Sequence, residues 1–307
     1  LQEQSVHLWR ELGGESGLAT AMKDYAKAIW MSGDLSEARS SIKDSVRLLR
    51  QAGDEPGLGD ALMWQAWFAF LDEDDNDARS SARESVKLAQ RIGDVTGLAA
   101  SNNVLGNIAY QESNYIAAQE FYEKGLDYFR EAGDLYGIAV VLGSLSTVSY
   151  GNADYEREKI YLRERLQIAR TIGSRSFVAD SLYSLGLVSS LLGQDQNAHI
   201  YFDDGLRACA ELDETNDIYA AECLAGLAWL LAKERKANQA IRLLGAVERS
   251  LNDLDTIFKE IYDQALVVTE EQLDEETFVS NRAAGKAMTV DEAIEYALKV
   301  NSKAGQS

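Results

Sequence analysis

The sequence predicts an all-α fold, an α-solenoid wound as a right-handed superhelix of stacked helix pairs with a C-terminal helical cap. Three observations lead to this prediction. A glycine-aspartate turn motif returns every forty residues, a second turn signal falls midway between successive motifs, and the 307-residue chain contains a single proline. Evenly spaced turns and few helix breakers are typical of long arrays of paired helices.

The first turn motif has the form Gly-Asp-x-x-Gly and, taken singly, could be a ligand-binding loop. Its first glycine recurs at Gly13, Gly53, Gly93, Gly133 and Gly173, and its second at Gly17, Gly57, Gly97 and Gly137. A ligand loop is not expected to repeat in register. We therefore interpret the motif as a connector, in which the first glycine ends one helix in the left-handed conformation and the aspartate caps the next.

The second turn signal divides each repeat into a first helix, A, and a second helix, B. It is found at Gly33-Asp34, Asp74-Asp75, Ser113-Asn114, Ala153-Asp154 and Gly193-Gln194. The register predicts repeats over residues 1–251, with a half-repeat over 1–12 and pairs that start near residues 14, 54, 94, 134, 174 and 214. After Ile218 the register slips by about two residues, and residues 252–307 leave the period, which predicts capping helices there.

Small residues recur in the middle of helix A and near the start of helix B. The A column contains Ala26, Ala66, Gly106, Ser146, Gly186 and Gly226, and the B column contains Ala38, Ala78, Ala118 and Ala198, with Glu158 as its exception. Small side chains let two helix backbones approach closely. One pair alone cannot bury its apolar faces, so neighbouring pairs are expected to stack.

The spacing Leu185-Gly186, Gly193, Ala198, Tyr201-Phe202 and Leu206 resembles the tetratricopeptide repeat, and Ala118, Tyr122 and Leu126 match its second half. The usual terminal proline is absent and the repeat is longer than the common form. The chain is similar in this respect to the long tetratricopeptide variant of bacterial signalling proteins.

The C-terminal segments AIRLLGAVE (240–248) and EETFVSNRAAGKAMTVDEAIEYAL (275–298) resemble the closing segment of bacterial signal-transduction (STAND-type) ATPases and LuxR-like transcription regulators. In these regulators an effector and an NTPase precede a tetratricopeptide array. The resemblance implies that this chain is the sensor arm of such a regulator and contacts an upstream NTPase or effector domain. Thr289 and Glu292 are expected to form a capping box at the start of the last helix.

Composition excludes several classes of function. The net charge of −20 argues against nucleic-acid binding, which needs a clustered basic surface. No apolar run approaches the length of a membrane span, and two cysteines, Cys209 and Cys223, do not make a disulfide framework. These features predict a cytoplasmic protein. The first residues read as the middle of a helix, which suggests a piece of a longer protein.

No convergent set of catalytic or metal-binding residues is visible, so the sequence predicts a non-enzyme without a metal or cofactor. His7 and His199 are far apart in the array, and Gly285-Lys286 lacks the rest of a phosphate-binding loop. The acidic run at 72–77 lacks the glycine and the distant glutamate of a calcium loop and is interpreted as a helix-capping turn.

A ligand is expected on the concave side, which the A helices line in tetratricopeptide arrays. Positions three and four residues apart on each A helix define a candidate groove: Lys23, Lys27, Trp30, Trp67, Phe70, Asn103, Asn107, Tyr110, Thr147, Tyr150 and Tyr183. Similar asparagines bind peptide backbones in peptide-binding tetratricopeptide domains. The lysines are candidates to receive a carboxylate, and the aromatic side chains either contact the ligand or fill space between A helices.

The sequence thus favours a protein- or peptide-binding sensor or scaffold. Two alternatives remain open. One is a small-molecule sensor, which requires an enclosed apolar pocket. The other is a self-assembly scaffold, in which homo-oligomers form through an exposed end helix near residues Leu1–Leu12.

Overall fold

The computed structural model describes residues 2–211, 217–252, 254 and 256–304. Within these ranges the chain forms sixteen α-helices, one short 3-10 helix and no β-strand, which confirms the predicted all-α fold. The pair start predicted near residue 214 lies outside the described residues. No helix within these ranges is both long and apolar enough to cross a lipid bilayer.

Helices of types A and B alternate along the chain. The A helices are α2 (Glu15–Met31), α4 (Glu55–Leu71), α6 (Val95–Gln111), α8 (Leu135–Gly151), α10 (Arg175–Leu191) and α12 (Asp217–Lys233). The B helices are α1 (Gln2–Leu12), α3 (Leu35–Ala52), α5 (Asp75–Ile92), α7 (Tyr115–Ala132), α9 (Tyr155–Ile172), α11 (Asp195–Ala210) and α13 (Ala237–Val247). The C-terminal helices are α14 (Thr256–Glu270), α15 (Glu275–Lys286) and α16 (Val290–Ala304), with the 3-10 helix at Glu248–Ser250.

Glycine is needed at the two positions of the turn motif for different physical reasons. Gly53 ends α3 in the left-handed region with a φ of 69°, and the Asp54 side chain caps α4 by accepting a hydrogen bond from the Gly57 N–H at 3.0 Å. A Cβ on Gly57 would lie 2.8 Å from Cδ2 of Leu49, so the second glycine lets α4 start close against the end of α3. The interpretation of the motif as a connector is confirmed.

The turn from helix A to helix B also contains a left-handed residue, but this residue is not always glycine. Gly33 has a φ of 99°, whereas Glu73 and Ser113 occupy the corresponding position with φ of 57° and 58°. Residues with a Cβ are strained in this region. The following residue caps helix B, as Asp74 does by accepting a hydrogen bond from the Asp77 N–H.

The chain divides into two compact units, Leu1–Asn152 and Ala153–Ser307. Unit 1 contains α1 to α8 and unit 2 contains α9 to α16. The division falls after α8, within the part of the chain where the forty-residue spacing of helix starts is maintained; α12 and α13 begin 42 residues after α10 and α11.

Within a helix pair, residues sixteen apart have complementary sizes. In unit 1, Ala26 and Ile42 lie in one buried cluster, and a Cβ on Gly106 would clash with the Tyr122 ring. In unit 2, a Cβ on Gly186 would lie 2.5 Å from the Phe202 ring. Glycine therefore stands opposite the aromatic Tyr122 and Phe202, whereas the small residue that precedes Ile42 by sixteen positions is alanine and the one that precedes Leu162 is serine.

The C-terminal helices pack onto the last repeat of unit 2. Helix α14 contacts α12 and α13, and α15 crosses α13. At this crossing a Cβ on Gly245 would clash with the Arg282 carbonyl, and a Cβ on Gly285 with the Arg242 carbonyl. The glycines of the two closing segments thus allow direct backbone contact between the helices. The predicted capping box is present, since the Glu292 N–H donates to Oγ1 of Thr289 and the Thr289 N–H to Oε2 of Glu292.

Candidate functional site

The A helices of unit 1 pack side by side and present one row of half-buried and exposed side chains, which we call the A surface. Ten of the eleven groove residues predicted from the sequence lie on these helices, together with Trp64. The A surface includes Lys23, Lys27, Trp30, Trp64, Trp67, Phe70, Asn103, Asn107, Tyr110, Thr147 and Tyr150.

Aromatic rings from α2 and α4 form a shelf on the A surface. The Trp30 ring centroid lies 6.1 Å from that of Trp64 and 6.5 Å from that of Trp67, in the second case edge to face. Trp67 in turn stacks on Phe70, with centroids 5.5 Å apart and an interplanar angle of 26°. These rings hold each other in place and leave half-buried faces, so the shelf can bury an apolar side chain with little loss of its own conformational entropy.

The two lysines of the A surface differ in their surroundings. The Lys23 ammonium lies 2.5 Å from Oδ2 of Asp60, and its side chain is 15% exposed, so its charge is neutralised within the chain. The Lys27 ammonium lies 4.7 Å above the Trp64 ring, and within the described residues it has no ion-pair partner. A carboxylate from a ligand would therefore meet an available cation at Lys27, whereas at Lys23 it would compete with Asp60.

The two asparagines also differ. Oδ1 of Asn107 accepts a hydrogen bond from the Tyr122 hydroxyl at 2.7 Å, so α7 orients this amide. Burial raises the pKa of Tyr122, which therefore acts as a neutral donor. Oδ1 of Asn103 is buried and has no hydrogen-bond partner among the described residues. The Asn107 amide is therefore held by Tyr122, whereas the Asn103 amide has an unused acceptor.

The remaining predicted residues of α6 and α8 have local contacts. The Tyr110 ring centroid lies 5.5 Å from that of Tyr115, at the start of the following B helix. The Thr147 hydroxyl donates to the Gly143 carbonyl one turn earlier at 3.1 Å. Tyr150 is half-buried in the last turn of α8. These three side chains extend the A surface beyond the asparagines.

The remaining predicted residue, Tyr183, lies in unit 2, where it is half-buried and packs against α14. Its ring stacks on Tyr219 with centroids 5.6 Å apart and meets Phe258 of α14 edge to face at 5.4 Å. Burial raises the pKa of Tyr183, with the carboxylates of Asp180 and Glu222 adding to the shift. The repeat register does not predict this long-range contact with α14.

Sequence reasoning missed Trp64, which contacts both Lys27 and Trp30. Its column in the repeat contains Asp24, Val104 and Ser144, so it shows no periodic signal. The available signal was local composition, because α4 contains four aromatic residues within the seven-residue segment WQAWFAF (64–70).

Three cavities lie between successive B helices and occupy one register of the repeat. The largest, of about 680 Å³, is lined in unit 2 by Arg163, Leu166, Arg170 and Leu182. A second cavity is lined by the corresponding Lys43, Val46, Arg50 and Leu62 of unit 1, and a third by Glu3, Val6, Arg10 and Met22. Because the three cavities occupy the same register of the repeat, we interpret them as a result of B-helix packing and not as a specific site.

The two thiols of the described part of the chain are buried and protonated at neutral pH. Cys209 and Cys223 are free and buried, and burial raises the pKa of both, that of Cys209 to about 12. Such thiols are poor nucleophiles at neutral pH. No group of three His, Cys, Asp or Glu residues lies close enough to hold a metal ion within the described ranges.

Several solved structures share the fold. A Rap protein complexed with Competence and Sporulation Factor is 14% identical, with a TM-score of 0.60 over 92% of this chain and 76% of that chain. A STAND protein with a tetratricopeptide repeat sensor from Pyrococcus horikoshii is 16% identical, with a TM-score of 0.57 over 92% of this chain and 41% of that one. NprR in complex with its cognate peptide NprX is 16% identical, with a TM-score of 0.51 over 98% of this chain and 94% of that chain.

These likenesses define the class of fold: the chain is a tetratricopeptide-like α-solenoid. At such low identities they carry no further assignment. No family model and no curated protein sequence matches the chain.

Proposed function

We propose that this chain is a protein- or peptide-binding sensor or scaffold module that binds its ligand on the A surface of unit 1. In a bacterial cytoplasmic regulator it would form the sensing arm and contact an NTPase or effector domain. Ligand binding would shift that regulator between two states if the ligand prefers one of them; a hundredfold preference corresponds to about 2.7 kcal/mol.

The observation that carries the proposal is the buried, unused acceptor of Asn103 beside a preformed aromatic shelf. A buried polar atom without a hydrogen bond costs about 1–3 kcal/mol. A helix interior also disfavours asparagine. A ligand that donates a hydrogen bond, as an extended peptide does from its backbone N–H groups, would remove the cost of the unsatisfied oxygen.

The A surface also offers side-chain specificity around this amide. The Trp67–Phe70 stack can take an apolar side chain, and the Lys27 ammonium can take a carboxylate. The Rap protein complexed with Competence and Sporulation Factor and NprR in complex with its peptide NprX support the proposal by fold likeness. Tyr183 is left out of the proposed surface because it lies in unit 2 and its ring packs against Phe258.

A display library of random linear heptapeptides, selected against the full chain, tests the proposal. Enriched peptides are expected to bind Asn103→Ala and Trp67→Ala at least tenfold more weakly than the unmodified chain. Asn76→Ala is the matched control, since Asn76 is an exposed asparagine on the B helix α5, and it should bind normally. Failure to enrich any peptide, or equal affinity for all variants, would refute the proposed surface.

The stability of Asn103→Ala separates binding from folding. Because Oδ1 of Asn103 has no partner and alanine is the better helix former, this variant should unfold at the same or a higher urea concentration than the unmodified chain. A variant that binds less and is no less stable identifies Asn103 as a ligand contact.

A further inference from the structure

Three A helices of unit 1 share a long stretch without charged residues. Residues 61–71 of α4, residues 95–111 of α6 and residues 135–151 of α8 contain no Asp, Glu, Lys, Arg or His. In the whole chain, by contrast, 26% of the residues are charged. The lack of charge is therefore local to these helices and does not follow from the overall composition.

Burial alone does not explain the missing charges. The accessible or half-buried side chains in the middle and last turns of α6 and α8 are all neutral: Asn103, Asn107, Tyr110, Ser144, Thr147 and Tyr150. On the neighbouring B helix α5, exposed positions are occupied by Arg83, Glu84 and Lys87. An accessible helix face usually takes charged residues in this way. We call the accessible side chains of 61–71, α6 and α8 the neutral wall.

Charge returns at one end of the A surface. Helix α2 contacts α4, α4 contacts α6, and α6 contacts α8, so these helices follow each other in chain order. Lys27 on α2 therefore lies at one end of the row, with its ammonium 4.7 Å above the Trp64 ring. The A surface is polarised, with a cation at the α2 end and neutral groups over the other three helices.

We propose that the A surface selects a peptide by the position of its charges: one carboxylate at the α2 end, and uncharged side chains over α4, α6 and α8. This inference rests on the proposed binding surface and adds the class of peptide that it accepts. Asn103 and Asn107 present neutral amides, which can hydrogen-bond to a peptide backbone whatever its side chains are. A charged ligand side chain placed on the neutral wall loses hydration and meets no counter-ion there, so it is selected against.

The row also sets the length of the matching peptide. Packed helices lie about 8–10 Å apart, so the three steps from α2 to α8 span about 24–30 Å. An extended chain advances about 3.3 Å per residue, so a peptide of about seven to nine residues covers the A surface from end to end.

The net charge of the chain favours the opposite selection. A charge of −20 attracts basic peptides over long distances, and this attraction weakens with salt. Contacts on the neutral wall and at Lys27 favour peptides without basic residues. The residues that a peptide selection retains therefore distinguish local recognition from general electrostatic attraction.

Selection of random nonapeptides against the full chain, at about 0.15 M ionic strength to screen distant charges, tests the inference. Lys, Arg, Asp and Glu should be at least tenfold rarer at the inner positions of enriched peptides than in the unselected library. Asp or Glu should be enriched at one end. Lys27→Gln should abolish this preference at the end and leave the inner positions uncharged.

A charge placed on the neutral wall should change the selection. Thr147→Asp adds a carboxylate at an exposed position of α8 and should enrich Lys or Arg at one inner position at least tenfold. Ser80→Asp is the matched control, because it adds the same charge at an exposed position of the B helix α5, and it should select the same peptides as the unmodified chain.

The outcomes separate this inference from the proposed function. Enriched peptides that carry inner charges as often as the unselected library would overturn the inference and leave the proposed peptide-binding surface in place. Enrichment of basic peptides by the unmodified chain, or the same selection by Thr147→Asp and Ser80→Asp, would also overturn it. Failure to enrich any peptide would overturn both.

Discussion

The Tyr122 hydroxyl on α7 donates a hydrogen bond to Oδ1 of Asn107 on α6, with 2.7 Å between the two oxygens. The same hydroxyl also interacts with Ser144 of α8. A residue of the B side thus orients an amide of the A surface, so packing in unit 1 and the proposed binding surface share one polar contact.

Replacement of Tyr122 by phenylalanine should lower the free energy of unfolding by about 1–2 kcal/mol, because it leaves a partly buried amide oxygen without its donor. Urea denaturation measures this change. Tyr128→Phe, on the same helix, is the control and should change stability by less than about 0.5 kcal/mol. An equal effect of both substitutions would show that the Asn107 contact contributes nothing specific.

Gly106→Ala should destabilise unit 1 by about 1–3 kcal/mol, because its new methyl group would overlap the Tyr122 ring. The pair Ala26 and Ile42 shows that alanine is accepted opposite an aliphatic residue. The double variant Gly106→Ala with Tyr122→Ile should therefore recover part of the loss relative to the sum of the single variants. A double-mutant cycle in urea gives the coupling energy; strict additivity would contradict the size rule.

The turn after each A helix gives a pair of opposite predictions. Glu73→Gly should stabilise the chain by up to about 1 kcal/mol, because it relieves the left-handed strain of a residue with a Cβ. Gly33→Ala, at the corresponding position with a φ of 99°, should destabilise it by a similar or larger amount. Differential scanning calorimetry should show melting temperatures that move in opposite directions; movement in the same direction would contradict this account.

Glu158 gives a pH prediction. It is buried at a position that is alanine in four other repeats, and desolvation raises its pKa to about 8. Its ordinary pKa is 4.5. Between these values the unfolded chain ionises this group and the folded chain keeps it protonated, so its contribution to stability falls as the pH rises from about 4.5 to 8.

Glu158→Ala should therefore stabilise the chain by about 2–4 kcal/mol at pH 8 and much less at pH 5. Melting temperatures measured across this pH range test the prediction. Glu156→Ala, which removes an exposed carboxylate from the same helix, is the control and should show no such pH dependence. A constant difference between Glu158→Ala and the unmodified chain would show that Glu158 is ionised in the folded state.

The helices of the repeats could be predicted from the sequence because their ends are determined locally. Gly53 and Asp54 specify a left-handed stop and a helix cap within a few residues, and the same signals recur at a fixed interval. The small residue at Gly106 was also visible as a column, although its cause, the Tyr122 ring, required the structure.

The parts that sequence reasoning did not reach depend on contacts outside the repeat. Trp64 has no counterpart in its column, and the contact of Tyr183 with Phe258 joins α10 to a C-terminal helix that does not follow the period. The ion pair of Lys23 with Asp60 likewise depends on which two residues of neighbouring A helices meet, and the repeat pattern does not specify such a partner.

The bonds from B helices to the next A-to-B turn have a consequence for how the gene can change in length. Arg39 bonds to Asp74, Lys159 to Gln194 and His199 to Glu234, each across 35 positions. Loss or gain of a few codons between Arg39 and Asp74, or between Lys159 and Gln194, would place the cation opposite an unrelated residue. In the part of the array with strict forty-residue spacing, changes in length are therefore expected as duplication or deletion of complete repeats.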